Sequence, residues 1–353
     1  MVGARPNFPK LAPVHRAAVS AGATQIVVHT GQHYDDALSD GLFRDLGIPA
    51  PDINLDVGSA SHAIQTARIM ERIEPIFIRE RPDWIVLYGD VNSTAAAAIV
   101  ASKLLIPIAH VEAGLRSFDR SMPEEINRMV TDRLADLLLT PSRDASAQLI
   151  LEGEPEFEIA FVGNVMIDSL LHALPAARAT NFRASLGTDG TAPVVVTLHR
   201  PSNVDDDERL SVIASTLRQI AANRPVIFPA HPRTRQRIDA RAADFSGVHI
   251  LSPVGYLEML DLLDCAFAVV TDSGGLQEET TALGIPCYTV RENTERPVTI
   301  TEGTNVLTPD PAVIPAMISR QKPRMTPPRI PEGWDGHAAE RIIEALARFR
   351  RVR

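Results

Sequence analysis

Cysteine is nearly missing: Cys265 and Cys287 are the only two in 353 residues. Two distant thiols make no disulfide framework, and no Cys/His spacing marks a zinc site. The chain therefore reads as reduced and cytoplasmic. Long apolar runs are missing as well, and the N-terminus turns polar at once, so neither a membrane span nor a signal peptide is expected. Positive charge is in deficit, with 35 Lys and Arg against 44 Asp and Glu, a net −9. No basic stripe exists to neutralise a phosphate backbone, which argues against a nucleic-acid partner. No G-x-G-x-x-G follows a candidate strand and no P-loop occurs, so NAD and ATP phosphate binding have no motif behind them.

What is present is the composition of a globular protein, 45% hydrophobic and 22% charged, long enough for two domains. Apolar β-branched runs predict strands at Gln25–Thr30, Trp84–Tyr88, Ile108–Glu112 and Asp136–Thr140, and Phe161–Asn164 closes this half. Helical patterns separate them, including Lys10–Ala21, Ser61–Arg79 with Ser61 as N-cap, the Ala-rich Ser93–Leu104, and Pro123–Ala135. From Leu174 to Thr191 the strand signal lapses, as in a helix and linker. It restarts at Val194–Leu198, Pro225–Pro229, Val248–Leu251, Ala266–Val270 and Pro286–Val290.

Strands alternating with helices imply parallel sheets with right-handed crossovers. The expectation is α/β, two Rossmann-like domains with parallel sheets facing a central crevice. Residues 1–168 form the first, completed by a C-terminal helix at 337–353, and residues 169–336 the second. Only Met1 and Val2 stand before the Gly3 turn, so the first strand is a stub or the chain start is truncated.

Ligands of such sheets sit beyond the carboxyl ends of the strands. Arg5, Asp90, Glu112, His199, His231 and Asp272 all lie there. Asp90, Glu112 and Glu124, the last beside Glu125 and one turn before Arg128, make a carboxylate set suited to proton transfer. For Glu124 and Glu125 the plainer role is to complement a helix dipole, and for Asp90 to cap a helix. His199-Arg200 and His231-Pro232-Arg233 follow strands and suit a diphosphate, with Arg5, Lys10 and Arg296 as further cations. The run V-V-T-D-S-G-G-L-Q-E-E (Val269–Glu279) reads as strand, glycine turn and helix. Its N-terminus favours an anion, with Ser273 as N-cap in the plainer reading.

Taken in order, G-A-R-P-N-F-P-K (Gly3–Lys10), T-G-Q-H-Y-D (Thr30–Asp35), G-D-V-N-S-T (Gly89–Thr94) and H-V-E-A-G-L-R-S (His110–Ser117) form one series. It continues with P-E-E-I-N-R (Pro123–Arg128), V-G-N-V-M-I-D (Val162–Asp168), T-L-H-R-P-S-N (Thr197–Asn203), T-D-S-G-G-L-Q-E-E (Thr271–Glu279) and N-T-E-R-P (Asn293–Pro297). The series resembles the non-hydrolysing UDP-N-acetylglucosamine 2-epimerase family over nearly the whole chain. That resemblance implies a GT-B-like fold, a homodimer, and interconversion of UDP-GlcNAc and UDP-ManNAc without nicotinamide or metal. UDP leaves by anti elimination, giving 2-acetamidoglucal, and adds back on the other face.

By matching position the resemblance makes Asp90, Glu112 and Glu124 proton-handling carboxylates and His199 the helper of diphosphate departure. Arg5, Lys10, Arg128, Ser273, Gly274 and Gly275 hold phosphate or nearby groups, Glu279 the ribose, and Arg296 the nucleotide. Met259 stands where many members place an aromatic against uracil, and allosteric regulation is not carried over. The alternatives are a hydrolysing relative releasing ManNAc and UDP, an epimerase of a modified UDP-sugar, a GT-B glycosyltransferase, and a non-catalytic nucleotide-sugar-binding regulator. The carboxylates argue against the last two.

Overall fold

The computed structural model describes residues 1–3, 5–31, 36–187, 190–240, 244–321 and 328–349, without the side chains of Arg5, residues 36–40 and Arg233. Most of the Thr30–Asp35 motif, residues 32–35, thus lies outside the described residues. The chain divides into two compact units, Met1–His172 with Glu332–Arg353, and Ala173–Pro331, against expected divisions after 168 and 336. Every pairing between named strands is parallel.

In the first unit a pair, β1 (Val28–His29) and β2 (Ile53–Asn54), accompanies a four-stranded sheet. That sheet runs β3 (Ile85–Tyr88), β4 (Ile108–Val111), β5 (Leu137–Thr140), β6 (Ile159–Phe161). Its inner strands are buried along their whole length, because parallel strands are covered by helices on both faces. Ile69 and Ile73, four apart on the helix His62–Glu80, enter the same core as Leu87, Ile108 and Leu138. The helix Asn92–Lys103 contributes only Ala96, Ala97, Ala98, Val100 and Ala101 to it, small side chains that let backbones approach.

The N-terminal stub is used. Val2 bridges to His29, its N–H donating to the Val28 carbonyl at 2.9 Å, while the Met1 amine donates to the Val86 carbonyl at 2.8 Å. The chain start thus links β1 to β3.

The C-terminal helix Ala338–Arg348 belongs to this first unit, packing on Phe8–Ser20. Asp168 caps it, accepting from Ala338 N–H at 3.2 Å and Ala339 N–H at 2.8 Å. Trp334 anchors the approach, its indole N–H donating to the Pro141 carbonyl at 3.1 Å. Asp168→Ala should cost ~1–2 kcal/mol and lower the melting temperature by several degrees. An unchanged thermal melt would remove the cap from the account.

The second unit holds one sheet ordered β12-β11-β10-β7-β8-β9, with strands β7 (Val194–Thr197), β8 (Val226–Pro229), β9 (Val248–Leu251), β10 (Ala268–Thr271), β11 (Cys287–Thr289) and β12 (Asn305–Leu307). β10 lies between β7 and β11, so its carboxyl end sits centrally. Strands β2 and β12 were not expected. They are two and three residues long and partly exposed, too short for any alternation to register. The expected Gln25–Thr30 strand shortens to Val28–His29. Ser61 and Ser273 occupy N-cap positions, but neither side chain makes a capping bond. Among the described residues no helix is long and apolar enough to cross a membrane.

Candidate active site

In the first unit, β3 ends at Tyr88 and turns at Gly89, whose φ is +65°. A Cβ there would come within 2.7 Å of the Lys10 ammonium and 3.3 Å of the Glu112 carboxylate, so the turn admits only glycine. Lys10 and Glu112 form an ion pair at 6% and 3% exposure. Lys10, expected to hold phosphate or a nearby group, pairs here with Glu112. Glu112 itself sits at φ +71°, costly for a side chain of its size. The N–H groups of Glu112 and Ala113 both donate to the Leu139 carbonyl, at 3.1 and 3.2 Å, which pins the strand end in that conformation.

Asp90, one residue past the turn, accepts from Arg128 Nε at 3.2 Å and keeps 29% of its side chain exposed. Arg128 also donates to Glu125 at 2.8 Å, and Glu125 accepts from Ser117 N–H at 2.9 Å, Ser117 Oγ at 3.0 Å and Phe118 N–H at 3.0 Å. Glu125 is therefore more than a dipole complement: it is buried and organises the loop before its helix. Glu124 lies half-buried in the same first turn, and among the described residues its carboxylate has no hydrogen bond, so none ties it to Asp90 or Glu112. Arg5 begins a short 3-10 helix at the strand-to-helix turn.

In the second unit, β10 runs into Asp272, which is fully buried. Its carboxylate accepts from His199 N–H at 3.1 Å, Arg200 N–H at 2.9 Å and Asn203 Nδ2 at 3.0 Å. It also meets His199 Nδ1 at 2.9 Å. Burial pushes the Asp272 carboxyl up, but His199, Asn203 and Arg200 outweigh it and hold the group below the usual carboxylate range. His199, with 52% of its side chain exposed, is fixed at Nδ1 and left open elsewhere. His231 is exposed at the end of β8.

The helix Gly274–Leu283 follows directly, with Ser273, Gly274 and Gly275 half-buried at its start. A Cβ on Gly274 would lie 2.5 Å from Arg296 Nη1 and 2.6 Å from Glu295 Oε1. Arg296 reaches this turn bound to Glu278 at 2.9 Å and to Glu295. Glu295 also takes Arg291 at 2.7 Å, and the two arginines hold its carboxyl far below the usual range against the opposing effect of burial.

Burial pushes the Glu279 carboxyl up to about 8; the Tyr256 hydroxyl, 3.3 Å away, opposes the shift and the Glu278 charge adds to it. Between the ordinary value of 4.5 and about 8, the folded chain thus holds a proton that the unfolded chain has lost. Stability from this group should fall as pH rises through that window. Glu279→Gln should remove the slope, gaining on the order of 4 kcal/mol over the parent at the alkaline end. Melting curves at either end of the window check it, and parallel shifts in parent and variant would refute it. Among the described residues no group of three or more His, Cys, Asp or Glu is placed to hold a metal ion.

Residues 16–347 match the family model described as UDP-N-acetylglucosamine 2-epimerase. The chain belongs to that epimerase family. Among its relatives, a UDP-N-acetylglucosamine 2-epimerase homolog of Methanococcus maripaludis is 45% identical over 314 residues, 87% of each chain. The UDP-2,3-diacetamido-2,3-dideoxy-D-glucuronate 2-epimerase of Pseudomonas aeruginosa is 43% identical over 356 residues, 99% of each chain. The crystal structure of the Methanocaldococcus jannaschii UDP-GlcNAc 2-epimerase in complex with UDP-GlcNAc and UDP matches at a TM-score of 0.88 and 39% identity, over 98% of each chain. The fold is accordingly the GT-B-like α/β arrangement of these epimerases, two domains with parallel sheets.

Glu125, Asp132, Asp272 and Glu295 escaped the sequence reading as partners of this epimerase's cationic and histidine side chains. Glu295-Arg296 adjacency and the Glu124-Glu125 doublet were visible. Which carboxylate of each pair turns inward is not written locally.

Proposed function

We propose that this epimerase interconverts UDP-GlcNAc and UDP-ManNAc, by anti elimination of UDP to 2-acetamidoglucal and re-addition on the opposite face. The observation that carries the reading is the carboxylate pair at two neighbouring strand ends, Asp90 on Arg128 and Glu112 on Lys10. In this reading one carboxylate takes the proton from C2 as the C1–O bond breaks and UDP leaves. On the return, C2 is protonated from the other side and UDP re-adds at C1. Two carboxylates in unlike surroundings suit a reversible step that needs a base and an acid in turn. Glu124 serves the sugar hydroxyls.

Lys10 and Arg128 then act by holding Glu112 and Asp90 in place rather than by gripping phosphate. The diphosphate falls to His199, steadied by Asp272, and to the Ser273 hydroxyl with the N–H groups of Gly274 and Gly275 at a helix start. Glu279, carrying its proton near neutrality, is able both to donate to and to accept from ribose hydroxyls. Arg296 belongs beside the nucleotide. The family resemblance supports a cytoplasmic homodimer.

Proton NMR of UDP-GlcNAc with the protein in D2O tests the proposal. UDP-ManNAc carrying deuterium at C2, with UDP still attached at equilibrium, is the expected result. Free ManNAc with UDP would move the enzyme to hydrolysis. A second reading, a 2,3-diacetamido uronic acid nucleotide, is favoured by the 43% identity to the Pseudomonas relative. Turnover of that sugar with UDP-GlcNAc unchanged would establish it.

A further inference from the structure

Behind the first unit's carboxylates lies a charged network with no part yet in the reaction. His110, on β4, is fully buried. Its Nδ1 lies 2.6 Å from Asp132 Oδ1 and its Nε2 lies 2.8 Å from the Gly89 carbonyl oxygen. We propose that His110 is a positioning residue: a buried imidazolium, backed by Asp132, that grips the Gly89 carbonyl and so fixes the turn carrying Asp90 beside Glu112. The consequence for catalysis rests on the epimerase reading; the protonation of the ring does not.

Donors and acceptors decide the protonation of the ring. A backbone carbonyl only accepts, so Nε2 must carry a proton. A carboxylate also only accepts, so Nδ1 must carry one too. Asp132 is a carboxylate by its other partners: Gly114 N–H donates to Oδ2 at 3.1 Å, and Arg116 Nη1 lies 2.7 Å from the same oxygen. Arg116 in turn forks onto Glu152, at 2.9 and 2.7 Å. Glu152 itself lies at the surface, so the hydrogen-bond pattern at the ring carries the assignment. A neutral His110 would aim a lone pair at an oxygen on one side.

Geometry carries this to the site. The Gly89 carbonyl takes the imidazolium, while the Gly89 Cα faces Lys10 and Glu112. One residue thus separates the sealed cation from the Lys10–Glu112 pair, and Asp90 is the next residue along. Asn7 Nδ2 and Thr94 Oγ1 hold the preceding carbonyl, Tyr88, at 2.9 and 3.0 Å. Among the described residues, the Gly89 carbonyl meets the His110 ring.

The test begins with the unaltered protein. Nitrogen-15 NMR of the His110 ring near neutrality should find both ring nitrogens protonated, with and without UDP; an unprotonated ring nitrogen overturns the inference. This readout needs no turnover, so it stands apart from the sugar assay, whose failure would touch only the epimerase reading. In an active enzyme, His110→Gln should lower kcat by up to about 100-fold, the scale of a small misplacement of a reacting group. KM and the Kd for UDP should stay near the parent's values. A role confined to packing would lower the melting temperature and leave kcat alone. A folded His110→Gln protein with the parent's kcat overturns the positioning role, and should that variant fail to fold, ring protonation decides.

Discussion

Asp90→Asn and Glu112→Gln should each lower turnover at least ~100-fold, the scale of acid–base help, while UDP still binds. The two are not alike in their side effects. Asp90 is partly open to solvent and shares Arg128 with Glu125, so its amide leaves the arginine one full partner. The melting temperature should barely move. Glu112→Gln strands a buried ammonium on Lys10, and breaking a buried pair from one side costs ~3–5 kcal/mol. The double change Lys10→Met with Glu112→Gln should recover most of that stability and none of the turnover. Recovery of turnover in the double variant would show that Glu112 matters only as a counter-ion. Parallel loss of UDP affinity in the single variants would move both residues to a structural role.

The second large effect is expected at His199. His199→Ala should cost ~100-fold or more in turnover, as loss of a donor to the leaving diphosphate. The fold should survive, because Asp272 keeps its bonds to the backbone N–H groups of residues 199 and 200 and to Asn203. Asp272→Asn should reduce turnover similarly but destabilise as well. An amide puts N–H groups against donors, and each buried donor left unpaired costs ~1–3 kcal/mol. Melting temperature therefore separates the two variants where kcat does not. A His199→Ala enzyme with the parent's rate would take His199 out of the mechanism.

Much of the fold was legible because a buried parallel strand is its own signal. The runs I-V-L-Y at Ile85–Tyr88 and A-V-V-T at Ala268–Thr271 are β-branched or apolar throughout and end at glycine-bearing turns. Helix starts were read to within a residue or two, although Ser61 and Ser273 stand at caps without using their side chains. Two short strands escaped, since Ile53–Asn54 and Asn305–Leu307 exist only through their neighbours.

Where polar residues follow strands was legible in the sequence, and which of them pair was not. That polar residues follow strands at Asp90, Glu112, His199 and Asp272 is a local fact, fixed by where each apolar run stops. The resemblance assigns Lys10 and Arg128 to phosphate or nearby groups, and nothing local to either cation shows its carboxylate partner. Tertiary structure supplied the partners across 102 residues for Lys10 and Glu112, and across 38 for Arg128 and Asp90. Likewise it set Asp272 under His199, 73 residues away, and Asp132 under His110, 22 away. The sequence by itself determined the family, the alternation of strand and helix, and which side chains reach the strand ends, because these depend on neighbours in the chain. Only the packed structure decided which charges neutralise one another and which stay open, because Coulomb pairing in a buried site depends on distances that adjacent strands set.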